Sequence, residues 1–136
     1  MKRVFLIALM ALVTMSGMAQ RPHHGDHGER GHGGRRYIEC ATPQQMSMTM
    51  QVLEQQAFDD KKLEIAKLCV TLGHFCTSDL AKMAAKFSFD DNRLAFLRYA
   101  YDYCEDPENY FALRDVFTFR SNFDSLMESV MPGYER

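Results

Sequence analysis

The phrases AFDDKKLEIAK, residues 57–67, and SFDDNRLAFLR, residues 88–98, open two segments of the chain in the same way. Each places an aromatic residue and two aspartates before a stretch with apolar residues at helical spacing. Paired carboxylates occur in acid/base catalysis and in metal sites, but they also occur at helix starts. The local chemistry accounts fully for a helix start, so the doubled phrase predicts structure and needs no active site.

Asp59 is predicted to be an N-cap whose carboxylate accepts hydrogen bonds from the first turn of its own helix. Phe58 is predicted to pack on Leu63 as a hydrophobic staple. Asp90 and Phe89 repeat this arrangement 31 residues later. On this interpretation, Asp90→Ala costs about 1 kcal/mol as a lost cap, and Phe89→Ala costs about 3 kcal/mol or more as a core truncation.

Cap residues between apolar segments predict six helices. Their starts lie at Thr42, Asp59, Thr77 or Ser78, Asp90, Asp106 and Ser121. The fourth is expected to run to about Cys104, and Gly73 is expected to end the second in a left-handed conformation. The predicted fold is therefore all-α, a compact bundle of about six short helices built from a helical-hairpin repeat of roughly 31 residues. The predicted core is Phe58, Leu63, Leu80, Phe87, Phe89, Leu94, Leu97, Leu113, Phe117 and Phe119.

The first residues, MKRVFLIALMALVTMSGMAQ, have the pattern of a secretory signal peptide. We expect cleavage near Ala19, which makes residues 1–19 the signal peptide. Its apolar run is shorter than the roughly 20 residues of a spanning helix, so no transmembrane segment is expected in the mature chain. The predicted location is periplasmic or extracellular. Residues 20–41 are interpreted as a flexible linker rich in His, Gly and Arg, and residues 42–136 as the helical domain.

Charge is distributed unevenly after the signal peptide. Residues 21–36 carry four arginines against two acids, whereas the remainder is acidic overall. Nucleic acid is excluded as an expected partner because an acidic domain does not neutralise phosphates.

Four cysteines, Cys40, Cys69, Cys76 and Cys104, make disulfides possible in an exported chain. Three pairings into two bridges are open, and Cys69 is equally well interpreted as a small buried apolar group. No CxxC motif supports thioredoxin-like chemistry or a common structural zinc site.

Several clusters have a metal or catalytic interpretation beside a structural one. The linker histidines resemble a metal-binding tail or a solubilising linker; they are His23, His24, His27 and His32. Met46 and Met50 share a helix face and could bind copper(I), but core packing is favoured. The acids Asp102, Glu105, Asp106 and Glu108 lack a calcium-loop pattern and are interpreted as a solvated, capping turn. A dyad of His74 with Cys69 or Cys76 has no supporting motif.

The segments FDDKKLEIAK, FSFDDNRLAFLRYAYDYCEDPENYF and FTFRSNFDSL resemble a bacterial family known as domain of unknown function 4476. The resemblance covers about residues 44–130. It implies an exported, all-helical module with no assigned activity, so it supplies no catalytic residues and no cofactor.

The predicted function is that of an exported, non-catalytic module that binds a protein partner in the cell envelope. The aromatic residues between Phe96 and Phe119 exceed what one helix face can bury. The expected interaction surface is Tyr99, Tyr103, Tyr110 and Phe111, although the same rings could instead thicken the core. A metal-binding protein and an uncharacterised enzyme are the alternative hypotheses.

Overall fold

Helices form nearly all of the regular structure in residues 37–135, the part of the chain that this computed structural model describes. The α-helices are α1 (Pro43–Glu54), α2 (Asp59–Leu72), α3 (Thr77–Ala84), α4 (Asp90–Ala100) and α5 (Arg120–Val130). Between α4 and α5 lie two 3₁₀ segments, Tyr101–Tyr103 and Pro107–Val116. With the longer 3₁₀ segment there are six helices in residues 37–135, so the all-α prediction is confirmed. The predicted signal peptide lies outside the described residues.

The predicted helix start at Thr42 is confirmed, and Thr42 forms a capping box with Gln45. The hydroxyl of Thr42 accepts from the backbone N–H of Gln45 at 3.2 Å, and the Gln45 side chain accepts from the backbone N–H of Thr42 at 2.8 Å. Pro43 occupies the first helical position, where the missing N–H has no consequence.

Asp59 and Asp90 do not cap their own helices, so the predicted N-caps are wrong. Phe58 and Phe89 hold the N-cap positions, and neither helix start has a side-chain cap from its own residue. Each aspartate is the first residue inside its helix. Its carboxylate points instead to the start of a helix about 30 residues further along the chain.

The carboxylate of Asp59 binds the start of α4. It accepts from the backbone N–H groups of Ser88 at 3.0 Å and Phe89 at 3.3 Å, and from the side-chain amide of Asn92 at 3.0 Å. The free N–H groups of a helix start thereby receive a charged acceptor from another helix.

The carboxylate of Asp90 binds the start of α5 in the same way. It accepts from the backbone N–H groups of Thr118 and Phe119, both at 3.0 Å, and from the side-chain amide of Asn122 at 2.9 Å. We refer to Asp59, Asp90 and the helix starts that they bind as the capping ladder. The ladder aligns the N-terminal ends of α2, α4 and α5.

Basic residues three positions after each aspartate complete the ladder. Lys62 donates to the carbonyl of Lys86 at 3.1 Å, and Arg93 donates to the carbonyls of Phe87 at 2.8 Å and Val116 at 3.0 Å. Arg93 also lies 3.1 Å from the Asp90 carboxylate, whose side chain is only 7% exposed. The basic side chains therefore bind both the acids and the carbonyl groups of the incoming loops.

The ladder does not continue beyond α5, because no aspartate stands at the first position of that helix. Arg120 stands at the first helical position, where Asp59 and Asp90 stand in α2 and α4. The predicted cap by Ser121 is wrong, because Phe119 is the N-cap and Asp90 already binds its N–H.

Helix α3 also takes its cap from a distant acid. Its N-cap is Cys76, not Thr77 or Ser78, and Asp79 accepts from the Cys76 N–H at 3.1 Å. The carboxylate of Asp106 accepts from the Thr77 N–H at 2.5 Å and from its hydroxyl at 2.9 Å. Burial acts to raise the pKa of Asp106, but these bonds and one from Asn109 outweigh it and lower that pKa.

Most of the predicted core is confirmed. Leu80, Phe87, Leu97, Leu113 and Phe117 are buried, and Leu63 and Leu94 are partly buried against them.

The phenylalanines of the predicted staples are exposed, so this part of the core prediction is wrong. Phe58 is 75% exposed, Phe89 68% and Phe119 64%. A staple needs the residue before the N-cap to reach the fourth helical residue. Because Phe58 is itself the N-cap, Leu63 is the fifth helical residue and the staple geometry is lost.

Helix α4 ends at Ala100, earlier than predicted, and the following helix is of the 3₁₀ type. Cys104 must adopt an extended conformation to form an isolated parallel bridge with Phe75, so α4 cannot continue to it. Gly73 is also extended, with φ −116°, not left-handed as predicted. A Cβ at this position would lie 2.6 Å from the ring of Phe75, which explains the glycine.

Cys40 and Cys76 form a disulfide, and Cys69 and Cys104 are free. The bridge joins the residues before α1 to the N-cap of α3. Within residues 37–135, no helix has both the length and the apolar character needed to cross a membrane.

The structure reverses the expected order of destabilisation by Asp90→Ala and Phe89→Ala. Asp90→Ala should lower the free energy of unfolding by about 2–3 kcal/mol, because it removes three charge-assisted bonds and leaves Arg93 without its carboxylate. Phe89→Ala should cost about 0.5 kcal/mol or less, since its ring is exposed. Asp91→Ala is the matched control, because Asp91 is exposed, and should resemble Phe89→Ala. Denaturant titration measures all three; a larger loss for Phe89→Ala than for Asp90→Ala would contradict the ladder.

Acid should weaken the fold through Asp90. Burial acts to raise the pKa of Asp90, but the N–H groups of Thr118, Phe119 and Asn122 outweigh it and lower that pKa from 3.8 to about 2. A carboxyl whose pKa is lower in the folded than in the unfolded protein stabilises the fold at pH values above its unfolded pKa. This contribution is lost as the pH falls toward its folded pKa. We expect this carboxyl to contribute roughly 2 kcal/mol that disappears between about pH 5 and pH 2. In Asp90→Asn this part of the pH dependence of unfolding should be absent; an unchanged pH dependence would contradict the assignment.

Loss of the disulfide should destabilise the fold. Cys40→Ser opens a loop with a sequence separation of 36 residues, and we expect a loss of about 3–4 kcal/mol in the free energy of unfolding. A thiol reductant should lower the wild-type stability to that of Cys40→Ser and leave the variant unchanged. Cys69→Ser, which removes a free thiol, is the control. Equal sensitivity of wild type and Cys40→Ser to the reductant would show that Cys40 and Cys76 do not form the disulfide.

Candidate functional site

The four residues of the predicted aromatic surface are not all on the surface. Tyr110 is fully buried, so its assignment to a surface is wrong. Its hydroxyl donates to the carbonyl of Leu97 at 2.5 Å, and its ring packs edge-on against Tyr101 at 5.0 Å. Burial raises the pKa of the Tyr110 hydroxyl. Its helical spacing with Leu113 and Phe117 was the signal that it belongs to the core.

The other three predicted surface residues differ in exposure. Tyr99 is partly buried; it stacks on Tyr103 at 5.3 Å and its hydroxyl shares a 3.0 Å hydrogen bond with Thr71. Tyr103 is 39% exposed and Phe111 62% exposed. The structure brings Tyr99 and Tyr103 together, and Phe111 remains an exposed neighbour of Tyr110 in sequence.

A more regular aromatic surface lies at the N-terminal ends of α2, α4 and α5. Phe58, Phe89 and Phe119 each occupy the N-cap of their helix with an extended backbone. All three rings are more than 60% exposed. We call these three residues the aromatic row. The predicted placement of these three residues in the core is therefore wrong.

The capping ladder fixes the spacing of the aromatic row. Asp59 binds the N–H of Phe89, and Asp90 binds the N–H of Phe119. The backbones of Phe89 and Phe119 are therefore tied directly to the starts of α2 and α4. A row held in this way presents its rings with little loss of backbone freedom on binding.

Exposed charges of both signs lie beside the aromatic row, and the base Lys61 is paired with Glu64 at 3.1 Å. Asp60 and Asp91 follow Phe58 and Phe89 and are exposed, and no ion pair is formed by either within residues 37–135. Arg120 follows Phe119 and lies 3.9 Å from Asp124. Two of the three rings thus adjoin a carboxylate that is free to attract a cation.

A groove of about 280 Å³ lies at the opposite end of α2, between its C-terminus and the start of α1. We call it the end groove. Its walls include Met48, Thr49, Cys69, Leu72, His74 and Phe75. Met48 is 60% exposed and Leu72 78% exposed, so an apolar rim surrounds the opening.

His74 is held at this groove by an acid. Its Nδ1 lies 2.6 Å from the carboxylate of Glu105, and this hydrogen bond, with a further effect of Glu39, raises the pKa of His74. A dyad with Cys76 is wrong because that sulfur is in the disulfide. Burial raises the pKa of Cys69, which disfavours the thiolate that a nucleophile needs.

The remaining metal candidates have structural roles where the structure describes them. Met46 is buried and Met50 packs against the core, as favoured by the sequence. Cys40, Cys76 and Asp79 lie within 4.8 Å of one another, but the two sulfurs are bonded to each other.

Two acids of the predicted turn are engaged, Asp106 by Thr77 and Glu105 by His74, whereas Asp102 and Glu108 are exposed. The linker histidines His23, His24, His27 and His32 lie outside the described residues.

Comparison with known proteins identifies the family. The model of the family described as domain of unknown function (DUF4476) matches residues 41–130, so the chain belongs to this family. No curated protein and no solved structure matches the chain. The resemblance seen in the sequence is thereby confirmed.

Proposed function

We propose that this member of the DUF4476 family is an exported, non-catalytic module that binds another protein through the aromatic row. The observation that carries the proposal is the exposure of a phenylalanine at three equivalent helix starts. Exposed large aromatic side chains are costly in water and are enriched at the centres of protein interfaces.

The acids of the doubled phrase support a non-catalytic role. Asp59 and Asp90 are engaged by backbone N–H groups, side-chain amides and basic side chains. A general base or a metal ligand must have a lone pair directed to the substrate or ion. Helix capping uses these carboxylates fully and needs no reaction.

The charges beside the row support one kind of partner. Asp60 and Asp91 adjoin Phe58 and Phe89, so a partner that presents apolar side chains interspersed with Lys or Arg would satisfy both surfaces. The rings can also accept a cation on their faces. We infer a basic, partly apolar segment as the bound part of the partner.

Export is supported by the disulfide between Cys40 and Cys76. Disulfides persist in oxidising compartments and are rare in the cytosol. The bridge agrees with the signal-peptide interpretation of residues 1–19, and an envelope protein remains the expected partner.

Photo-crosslinking tests the placement of the surface. Benzoylphenylalanine is introduced into the full chain at Phe58, Phe89 or Phe119 and, for comparison, at Phe111, and each variant is irradiated in cell-envelope extract. Positions 58, 89 and 119 should give an adduct of the same mass, because the three rings face one partner. Phe111 is the matched control, since it is an exposed phenylalanine outside the row.

Competition identifies the chemistry of the partner. Synthetic peptides that contain Arg and Leu should suppress the adduct at position 89, and peptides with Glu in place of Arg should not. Adducts that form at position 111 but not at the three row positions would place the surface at Tyr103 and Phe111 instead. Denaturant titration of each variant confirms that the fold is intact.

A further inference from the structure

Three side chains with soft or borderline donor atoms line the end groove. They are the thioether of Met48, the thiol of Cys69 and the imidazole of His74. Cys69 is outside the disulfide and half-buried against the core, and Met48 is largely exposed. Burial favours the protonated thiol of Cys69, so a metal ion must displace that proton to bind the sulfur. Thioether and thiolate ligands select copper(I) among the common metal ions, and imidazole also binds copper.

The histidine of the groove is oriented as metal-binding histidines are. Nδ1 of His74 is hydrogen bonded to Glu105, which leaves Nε2 as the ring nitrogen available to an ion. A carboxylate on the second nitrogen fixes the ring and increases its basicity. Glu105 therefore has the position of a supporting residue for a metal ligand.

The rest of the lining favours a soft ion over a hard one. Leu72 and Phe75 contribute apolar surface, and neither offers a carboxylate to the groove. Calcium and magnesium need several oxygen ligands, usually with carboxylates among them. The lining holds no Asp or Glu, and its side-chain oxygens are those of Gln45 and Thr49. Few-coordinate copper(I) can be bound by two sulfurs and one nitrogen.

We propose that the end groove binds one copper(I) ion through Met48 Sδ, Cys69 Sγ and His74 Nε2. Binding breaks the S–H bond of Cys69, forms a Cu–S bond and releases the proton to solvent, with no change in oxidation state. The site lies at the end of α2 remote from the aromatic row, about 20 Å along the helix. Copper binding and partner binding can therefore be tested separately.

Competition for copper(I) tests the site in the full chain. The chromophoric chelator bicinchoninate is titrated anaerobically against the chain in which His23, His24, His27 and His32 are replaced by alanine. This background removes the linker histidines as competing ligands. One equivalent of copper(I) should remain bound.

Variants on that background identify the ligands. Met48→Leu and Cys69→Ser should each weaken copper(I) affinity at least tenfold, and Glu105→Gln should weaken it about tenfold as a supporting residue. Met50→Leu and Cys104→Ser are the matched controls, a methionine on the same helix and the second free cysteine, and should leave the affinity unchanged.

Absorption spectroscopy at the copper edge gives an independent result. Two sulfur neighbours and one nitrogen neighbour support the site. Three results would overturn the site: loss of binding when the four linker histidines are replaced, an affinity unaffected by Cys69→Ser, or a coordination shell of nitrogen and oxygen alone. Circular dichroism and denaturant titration show whether each variant retains the fold, so a loss of affinity in a folded variant reports on the ligand itself.

Discussion

Carboxylates that cap a neighbouring helix hold this bundle together. Asp59 binds the start of α4, Asp90 the start of α5 and Asp106 the start of α3. Helix starts carry free N–H groups and a partial positive charge, so an anion from another element satisfies both at once. Because these bonds join residues 28 to 30 positions apart, local capping chemistry becomes tertiary structure.

The same constraint produces the aromatic row. When the aspartate is the first residue of its helix, the preceding phenylalanine is the N-cap and its ring faces solvent, as the exposure of Phe58 and Phe89 shows. The ladder fixes the backbones of Phe89 and Phe119. It does not extend to the other end of α2. There the disulfide of Cys76 and the contact of His74 with Glu105 position the end groove. The two candidate surfaces therefore depend on different interactions.

The helices could be predicted from the sequence, but the helices that the aspartates bind could not. The doubled phrase located the starts of α2 and α4 to within one residue, because an aspartate near a helix start has a strong local signature. That signature is the same whether the carboxylate binds its own helix or a different one, so the partner of Asp90 could not be predicted from spacing. The wrong assignment of Phe89 to the core followed from the same error, because an N-cap phenylalanine cannot form the predicted staple. At the candidate site, Tyr110 was predicted to be on the interaction surface because aromatic residues are dense in that part of the chain. Its spacing with Leu113 indicated burial instead.

Amide hydrogen exchange measures the central interaction directly. In the wild type, the N–H groups of Thr118 and Phe119 should be protected by the Asp90 carboxylate. In Asp90→Ala these two amides should exchange much faster, while Ser88 and Phe89, which are bound by Asp59, should keep their relative protection. Unchanged protection at Thr118 and Phe119, or an equal loss of protection at all four amides, would contradict capping between helices.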